Sequence, residues 1–471
     1  MRQHLTPPEA CVGLARTGIV LVASALLCTA SGAYARAAPE PPIVPAAAEP
    51  PPAVGGVERL TAVACPDPTA DGTQFGGALF ERPKLSGDWL GHRSALRDRG
   101  LTLDVSTTQF YQGVTTGGLE RAFPYGGRND YFLNLDGEQF GLWKGFHVTL
   151  HGETRYGQST NLLTGALSPT NLLLSVPQED GAVTALTGVQ FFQHLTDDFL
   201  VYAGKVNTID AFRQPLTWAG GLDGFWNTAL VFNPVYSRTV PYSTFATGCV
   251  YQRKDDPVPV FLFDVLDTND TPTTSGFDTF FDNGVTLFAW LNVPTRFFGK
   301  PGHQGIAGTY SSGRYTNLGP SSYLDPVDEL VFQSAPKRGS WCVAYNFDQA
   351  VWVAPDDPGR AWGVFGNLGI ADDNPSPVRW FASAGVAGSS PLAGRGRDTF
   401  GVGYYYLGVS SALKANARAV TPLADEQGFE VYYNARVTPW FQLTPDLQVL
   451  DPFQKEARPA LLVGLRARLD F

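Results

Sequence analysis

Apolar and polar residues alternate with a period of two along most of the chain after residue 100. In the stretch ALLVGLRARLDF, residues 460–471, Leu465 belongs to an apolar alternate set, whereas Arg466 and Arg468 belong to a polar one. Because successive side chains of a β-strand point to opposite faces, this pattern predicts a strand with one apolar and one charged face. Similar short segments, separated by Gly- and Pro-rich connections, continue from residue 101 to the end and predict an all-β protein.

About sixteen such segments are present, and the connections between them alternate in length. LWKG, TDD, GKPG and TPW are short, whereas residues 158–183 and 210–242 form long connections. Short turns on one rim, long loops on the other and an even number of strands are typical of a bacterial outer-membrane barrel. A soluble sandwich or propeller has no reason to sort its connections in this way. We therefore predict a transmembrane antiparallel β-barrel over residues 101–471, with its polar faces lining a wet lumen.

The residues before the barrel predict export. Residues 1–35 read as a signal peptide, with an apolar core that follows Arg2 and Arg16, and cleavage is expected after Ala35. Residues 36–80 are predicted to form a Pro/Ala-rich disordered spacer and an extended lead-in. Residues 81–100 are predicted to form a short periplasmic helix, capped by Ser86 and stopped by Gly100. The expected location is the bacterial outer membrane.

Composition narrows the function. The net charge of -10 argues against a nucleic-acid partner. No GxSxG, HExxH or P-loop motif is present, so we predict no enzymatic activity.

Cys65, Cys249 and Cys342 follow the signal peptide, and because their number is odd they cannot all pair within the chain. None has the spacing of a metal site, so we expect neither a metal nor a cofactor. We do expect at least one free thiol that is buried in the wall.

The stretch GDWLGHRSALRDRG resembles the signature of the carbohydrate-selective porin family, OprB type. The matching residues are Gly87, Asp88, Trp89, Gly91, Arg93, Leu96 and Gly100. The stretches GLWKGFHVTLHG and NTALVFNP, and the final Phe471, are also similar to that family. The resemblance implies a 16-stranded outer-membrane barrel that passes glucose and related sugars.

A pore that favours sugars needs charged groups that bind hydroxyls, together with aromatic surfaces for the ring faces. The candidate pore-lining residues lie on polar strand faces or in the longest loop: Asp136, Glu138, Glu153, Arg155, Asp210, Arg213, Trp218 and Asp223. The first four are expected to form one polar patch. For any one of them the alternative is a solvated interior wall held together by cross-lumen ion pairs, because large barrels are polar throughout. The motif of residues 87–93 is expected to pack under the periplasmic mouth.

Two other functions remain open from the sequence. One is a general or anion-preferring porin of the same fold, and the other is a soluble or surface β-protein that binds glycans. The expected partners are carbohydrates, outer-membrane lipids and lipopolysaccharide, and the barrel assembly machinery, which would contact the strand that ends at Phe471.

Overall fold

The computed structural model describes residues 76–177, 181–210, 222–256, 258–319, 322–324, 330–332, 336–357, 360–418 and 421–471. Within these ranges, sixteen antiparallel strands form one closed barrel. Each barrel strand pairs with the next one along the chain, and the last pairs with the first. The predicted signal peptide and most of the predicted spacer lie outside the described residues.

Numbered in chain order, the strands are β1 (Leu101–Gly118), β2 (Tyr125–Asp136), β3 (Phe146–Gly157), β4 (Val183–His194), β5 (Phe199–Asn207), β6 (Ser243–Tyr251), β7 (Phe261–Asp267), β8 (Val285–Phe297), β9 (Lys300–Tyr315), β10 (Ser322–Leu324), β11 (Leu330–Phe332), β12 (Lys337–Val353), β13 (Ala361–Ala371), β14 (Val378–Ser389), β15 (Thr399–Val409), β16 (Glu426–Thr438), β17 (Phe441–Asp451) and β18 (Arg458–Asp470). Strands β10 and β11 form a separate hairpin outside the barrel. The sixteen segments found from alternation all coincide with barrel strands. The hairpin was not predicted, because three residues are too few to show a period.

The helices in the described ranges are short: α1 (His92–Arg97), α2 (Thr228–Val231) and α3 (Ser411–Ala417). None of them is long and apolar enough to cross a membrane. The predicted helix over residues 81–100 is therefore wrong in extent. Trp89 and Leu90 have φ values of 50° and 62°, and Gly91 has a φ of 91°, so the described residues before α1 form a short 3-10 turn and no α-helix. The helix ends at Arg97 with Asp98 as its C-cap, so Gly100, with a φ of 82°, turns the chain into β1 and does not stop the helix as predicted.

The predicted orientation of the apolar and polar strand faces is confirmed for β18. Leu465 is 44% exposed on the outside of the barrel, whereas Arg466 and Arg468 are 1% and 4% exposed on the inside. Cys249 lies on the outer face of β6, between buried Ala246 and Val250, and its thiol is free. Cys342 is also a free thiol, buried on the inner face of β12, so the expectation of a free thiol in the wall is confirmed.

The connections are sorted between the two rims. At the rim where β1 begins and β18 ends, here called the terminal rim, no connection exceeds nine residues. Two of these connections have only two residues, and in one of them, Phe298-Gly299, both residues have positive φ, as a two-residue type I′ hairpin turn requires. At the opposite rim, the connections 158–182 and 208–242 have 25 and 35 residues. This sorting is the pattern expected from the sequence.

The inner wall divides into two sectors of different chemistry. The inner faces of β16–β18 and β1–β3, here called the polar sector, carry mostly charged and amide side chains. The inner faces of β5–β9 and β12–β15, here called the apolar sector, contribute side chains such as Leu262, Trp290 and Phe365 to one large buried cluster. The lumen therefore contains a hydrophobic core on one side and a charged wall on the other.

Candidate pore-lining site

The described part of the longest connection, residues 222–242, folds into the lumen and is called loop B. Trp226 and Val235 are fully buried there. The backbone N–H groups of Trp226 and Asn227 donate to the two carboxylate oxygens of Glu430 on β16, at 2.5 and 2.9 Å. Because one side chain accepts from two consecutive backbone N–H groups, Glu430 holds this part of the loop against the polar sector.

Two arginines of β18 hold the same part of loop B. Arg466 Nη1 donates to the carbonyl oxygen of Gly224 at 3.0 Å, and its guanidinium lies 5.4 Å from the centre of the Trp226 ring. Arg468 Nη1 donates to Asp223 Oδ1 at 2.6 Å. The arginines of the terminal segment therefore face inward and bind the loop.

The remainder of loop B covers the apolar sector. Phe225 packs edge-on against Phe365, with ring centres 5.7 Å apart. Asn233 Nδ2 donates to the carbonyl oxygen of Leu368 at 2.9 Å. Arg238 Nε donates to the carbonyl oxygen of Pro375 at 2.9 Å, and burial lowers the pKa of Arg238 to about 10, so it stays charged at neutral pH. Loop B thus spans the lumen from the polar to the apolar sector.

Residues 158–177, here called loop A, fold inward beside loop B. The carboxylate of Glu426 accepts hydrogen bonds from the backbone N–H groups of Leu167 and Ser168. The Leu172 N–H donates to the carbonyl oxygen of Trp226 at 2.9 Å, which joins the two loops directly. The loops therefore form one obstruction within the barrel.

Strand register places charges of like sign side by side on the polar sector. The arginine row consists of Arg155 on β3, Arg128 on β2 and Arg468 on β18, with Thr108 of β1 between the last two. The carboxylate row lies two residues away from the arginine row on each strand. It consists of Glu153, Asp130 and Asp470, with Ser106 of β1 between the last two. A solute that moves along this wall meets both signs of charge within about 7 Å.

Both ends of the β5–β6 connection are held by β3. His151 Nδ1 lies 2.5 Å from Asp210 Oδ2 at the start of the connection, and Tyr242 at its end donates to Glu153. Burial and the nearby Glu153 carboxylate raise the pKa of Tyr242 well above its usual value, so its hydroxyl remains a donor. Glu153 also accepts hydrogen bonds from Asn207 and Arg128.

Asp130, His151 and Glu153 place their potential ligand atoms within 4.8 Å of one another, a spacing that suits a metal ion. The guanidinium of Arg128, however, lies 2.8 Å from Asp130 and also contacts Glu153. A cation is thus already present among these carboxylates. We interpret the group as an ion-pair cluster that positions the loop.

The residues selected from the sequence are not all brought together. Strand β2 ends at Asp136, and Glu138 lies exposed in the following turn, so its placement on the strand was wrong. Glu153 pairs with Asp130, six residues from Asp136, and the expected single patch is therefore split by about 20 Å. Arg213 and Trp218 lie outside the described residues.

The other selected residues are buried or half-buried and already have protein partners. Arg155 Nε donates to the carbonyl oxygen of Pro177 at 2.8 Å, at the end of loop A. Asp210 binds His151, and Asp223 binds Arg468. Sequence reasoning missed Arg128, because YGGRND reads as a turn. It also missed the anchoring role of Glu430, whose inward position was visible from alternation but whose loop partners were not.

Comparisons with known proteins agree with this architecture. The sequence model of the carbohydrate-selective porin, OprB family, matches residues 120–471. Porin B of Pseudomonas aeruginosa is 25% identical over 431 residues, which cover 82% of this chain and 91% of that protein.

Two solved structures of OprB from Pseudomonas putida share the fold. The high-pH structure is 20% identical with a TM-score of 0.70, covering 84% of this chain and all of that one. The low-pH structure is 17% identical with a TM-score of 0.52, covering 83% of this chain and 99% of that one.

Proposed function

Because the chain belongs to the carbohydrate-selective porin family, OprB type, it is a sugar porin of the bacterial outer membrane, and we propose that sugars cross it along the polar sector. The observation that carries this path is the pair of charge rows on β3, β2, β1 and β18. The apolar sector offers no such path, because loop B packs its hydrophobic side chains against it.

The charge rows suit a neutral solute rich in hydroxyls. Arginines donate hydrogen bonds and carboxylates accept them, so vicinal hydroxyls find both kinds of partner on one wall. The two rows hold three arginines and three carboxylates, so their charges balance and the rows add little net field to attract or repel ions. We therefore favour sugar preference over the anion-preferring alternative, and we expect a reversal potential near zero in a salt gradient.

The selected residues take two roles in this proposal. Arg468 and Asp223, which bind each other, border the passage, where a sugar hydroxyl competes for their polar atoms, and Asp136 borders its terminal end. Glu153 and Arg155 bind Tyr242 and Pro177 and so hold loops B and A in place, and Asp210 binds His151 at the start of the β5–β6 connection. Arg213 and Trp218 stay candidates for the edge of the constriction.

The same proposal covers the export, the assembly and the lipid surroundings of the barrel. The chain reaches the outer membrane after cleavage of residues 1–35, and the barrel assembly machinery contacts the strand that ends at Phe471. Lipids and lipopolysaccharide surround the apolar outer face. Members of a porin family are channel proteins, and passage through this barrel is passive diffusion without catalysis.

Liposome swelling with glucose and with amino acids of similar size tests the path. Arg468→Gln should lower the glucose rate several-fold while changing the amino-acid rate less, because it removes a charged donor from the sugar path. Arg314→Gln is the matched control, since Arg314 is exposed on β9. If Arg468→Gln leaves the glucose to amino-acid ratio unchanged, sugars do not use this wall.

A further inference from the structure

We propose that the segment Gly87 to Arg93, which resembles the family signature and is here called the signature, is a latch that locks the seam between β1 and β18 after the barrel has closed. The seam joins the two barrel strands that are farthest apart along the chain. Its pairing is continuous from Ser106–Asp470 to Val114–Leu462 but has two register shifts towards the opposite rim. The regular part therefore ends at the terminal rim, where the signature lies.

The segment before β1 binds the final residues of β18 directly. Arg93 Nη2 donates to the carbonyl oxygen of Phe471 at 2.9 Å, and the Leu85 N–H donates to the carbonyl oxygen of Asp470 at 2.8 Å. Phe471 in turn donates its N–H to the carbonyl oxygen of Val105 on β1, at 2.8 Å. The last two residues of the chain are thus bound from the segment on one side and from β1 on the other.

The same segment reaches the strands on both sides of the seam. Lys84 Nζ lies 2.8 Å from Asp104 Oδ1 on β1. The indole of Trp440, in the turn between β16 and β17, donates to the carbonyl oxygen of Leu79 at 2.7 Å. Opening the seam would therefore break either the contacts of this segment with β1 or its contacts with β18 and the β16–β17 turn.

The signature residues shape the segment so that Arg93 points at Phe471. Asp88 Oδ1 accepts hydrogen bonds from the N–H and the hydroxyl of Ser94, both at 2.8 Å. The Trp89 ring lies 4.4 Å from the guanidinium of Arg93 and orients it. Gly91 has a φ of 91°, a conformation that disfavours any residue with a Cβ, and it turns the chain into α1.

The contacts of Arg93 and Leu85 end on backbone oxygens at the terminal rim and use no side chain of the charge rows, so they do not account for sugar passage. They give the segment that precedes the first strand a role in holding the barrel closed. They also occupy the end of β18, the part of the chain that we expect the assembly machinery to contact. Docking of the signature and binding by the machinery then exclude each other, and the latch forms only when the barrel is released.

Arg93→Gln tests the latch, with Arg97→Gln as the matched control on α1. Arg97 is half exposed, and within the described part of the chain its ion-pair contact is with its neighbour Asp98. The full chain, purified from outer membranes, is unfolded in urea and followed by its migration without boiling. We expect Arg93→Gln to unfold about tenfold faster, the effect of losing one charged hydrogen bond. Its glucose rate and conductance should match those of the wild type.

Three outcomes would overturn the proposal. One is an unchanged unfolding rate in Arg93→Gln, and another is equal acceleration in Arg97→Gln. The third is a loss of glucose flux at unchanged stability, which would make the signature a sugar site. If Arg93→Gln does not accumulate in the membrane, both variants are refolded from urea into detergent. The unfolding rates are then compared in detergent. Arg93→Lys is expected to restore part of the stability that Arg93→Gln loses.

Discussion

Neighbouring residues on β18 face opposite sides of the wall, so substitutions at them should affect different properties of the protein. Leu465 faces outward, so Leu465→Arg should destabilise the inserted barrel by about 2–4 kcal/mol if it lies near the membrane midplane. Arg466→Leu should leave insertion nearly intact, because the inner face meets no lipid. The amount of heat-modifiable protein in outer-membrane fractions measures both effects.

Arg466→Leu should nevertheless change the channel, since Arg466 binds Gly224 and lies over Trp226. Single-channel recordings of this variant should show more current fluctuation than the wild type. Equal losses of inserted protein from Leu465→Arg and Arg466→Leu would contradict the assignment of the two faces.

At the scale of single residues, the sequence predicts which side of the wall a side chain faces but not its partner. Alternation placed Glu153 and Arg155 inward correctly. It could not predict that Glu153 pairs with Asp130 and Asn207, because register and loop contacts depend on residues far along the chain. Glu138 was misplaced because the polar pattern continues past the end of β2 into its turn.

At the scale of elements, the position of loop B depends on one carboxylate. Glu430→Gln should loosen the loop by about 1.5–3 kcal/mol, because glutamine offers one acceptor oxygen to the two N–H groups that Glu430 satisfies. We expect a larger and noisier conductance and a weaker preference for sugars. Single-channel recordings with glucose block measure both.

Glu120→Gln is the control for this change, since Glu120 is exposed in the loop between β1 and β2. If Glu430→Gln and Glu120→Gln conduct alike, the contact with Glu430 does not hold the constriction.

The strands were predictable because each one carries its own period, and the sorting of turns and loops followed from their lengths. The inward folding of loops A and B was not predictable to the same degree. Residues such as Leu230 and Val231 in loop B are apolar, which indicates burial, but the sequence does not say which wall covers them. The wall is assembled from several strands whose inner faces are apolar only in combination.

At the scale of the whole molecule, the segment ahead of the barrel should be dispensable up to the latch. Removal of residues 36–56, which lie outside the described residues, should leave insertion and sugar flux unchanged, because a Pro/Ala-rich spacer contributes no packed core. Gel migration before and after boiling, together with liposome swelling, measures the result. Failure of the shortened chain to reach the outer membrane would show that the spacer has a further role.

The division of the lumen into sectors has a consequence for when the channel conducts. The polar sector is built from the first three and the last three barrel strands, β1–β3 and β16–β18, which meet only at the seam. On the proposed path, a barrel whose ends have not met has no continuous charged wall to carry sugars. Sugar permeability would then arise in the final step of biogenesis, when β1 meets β18.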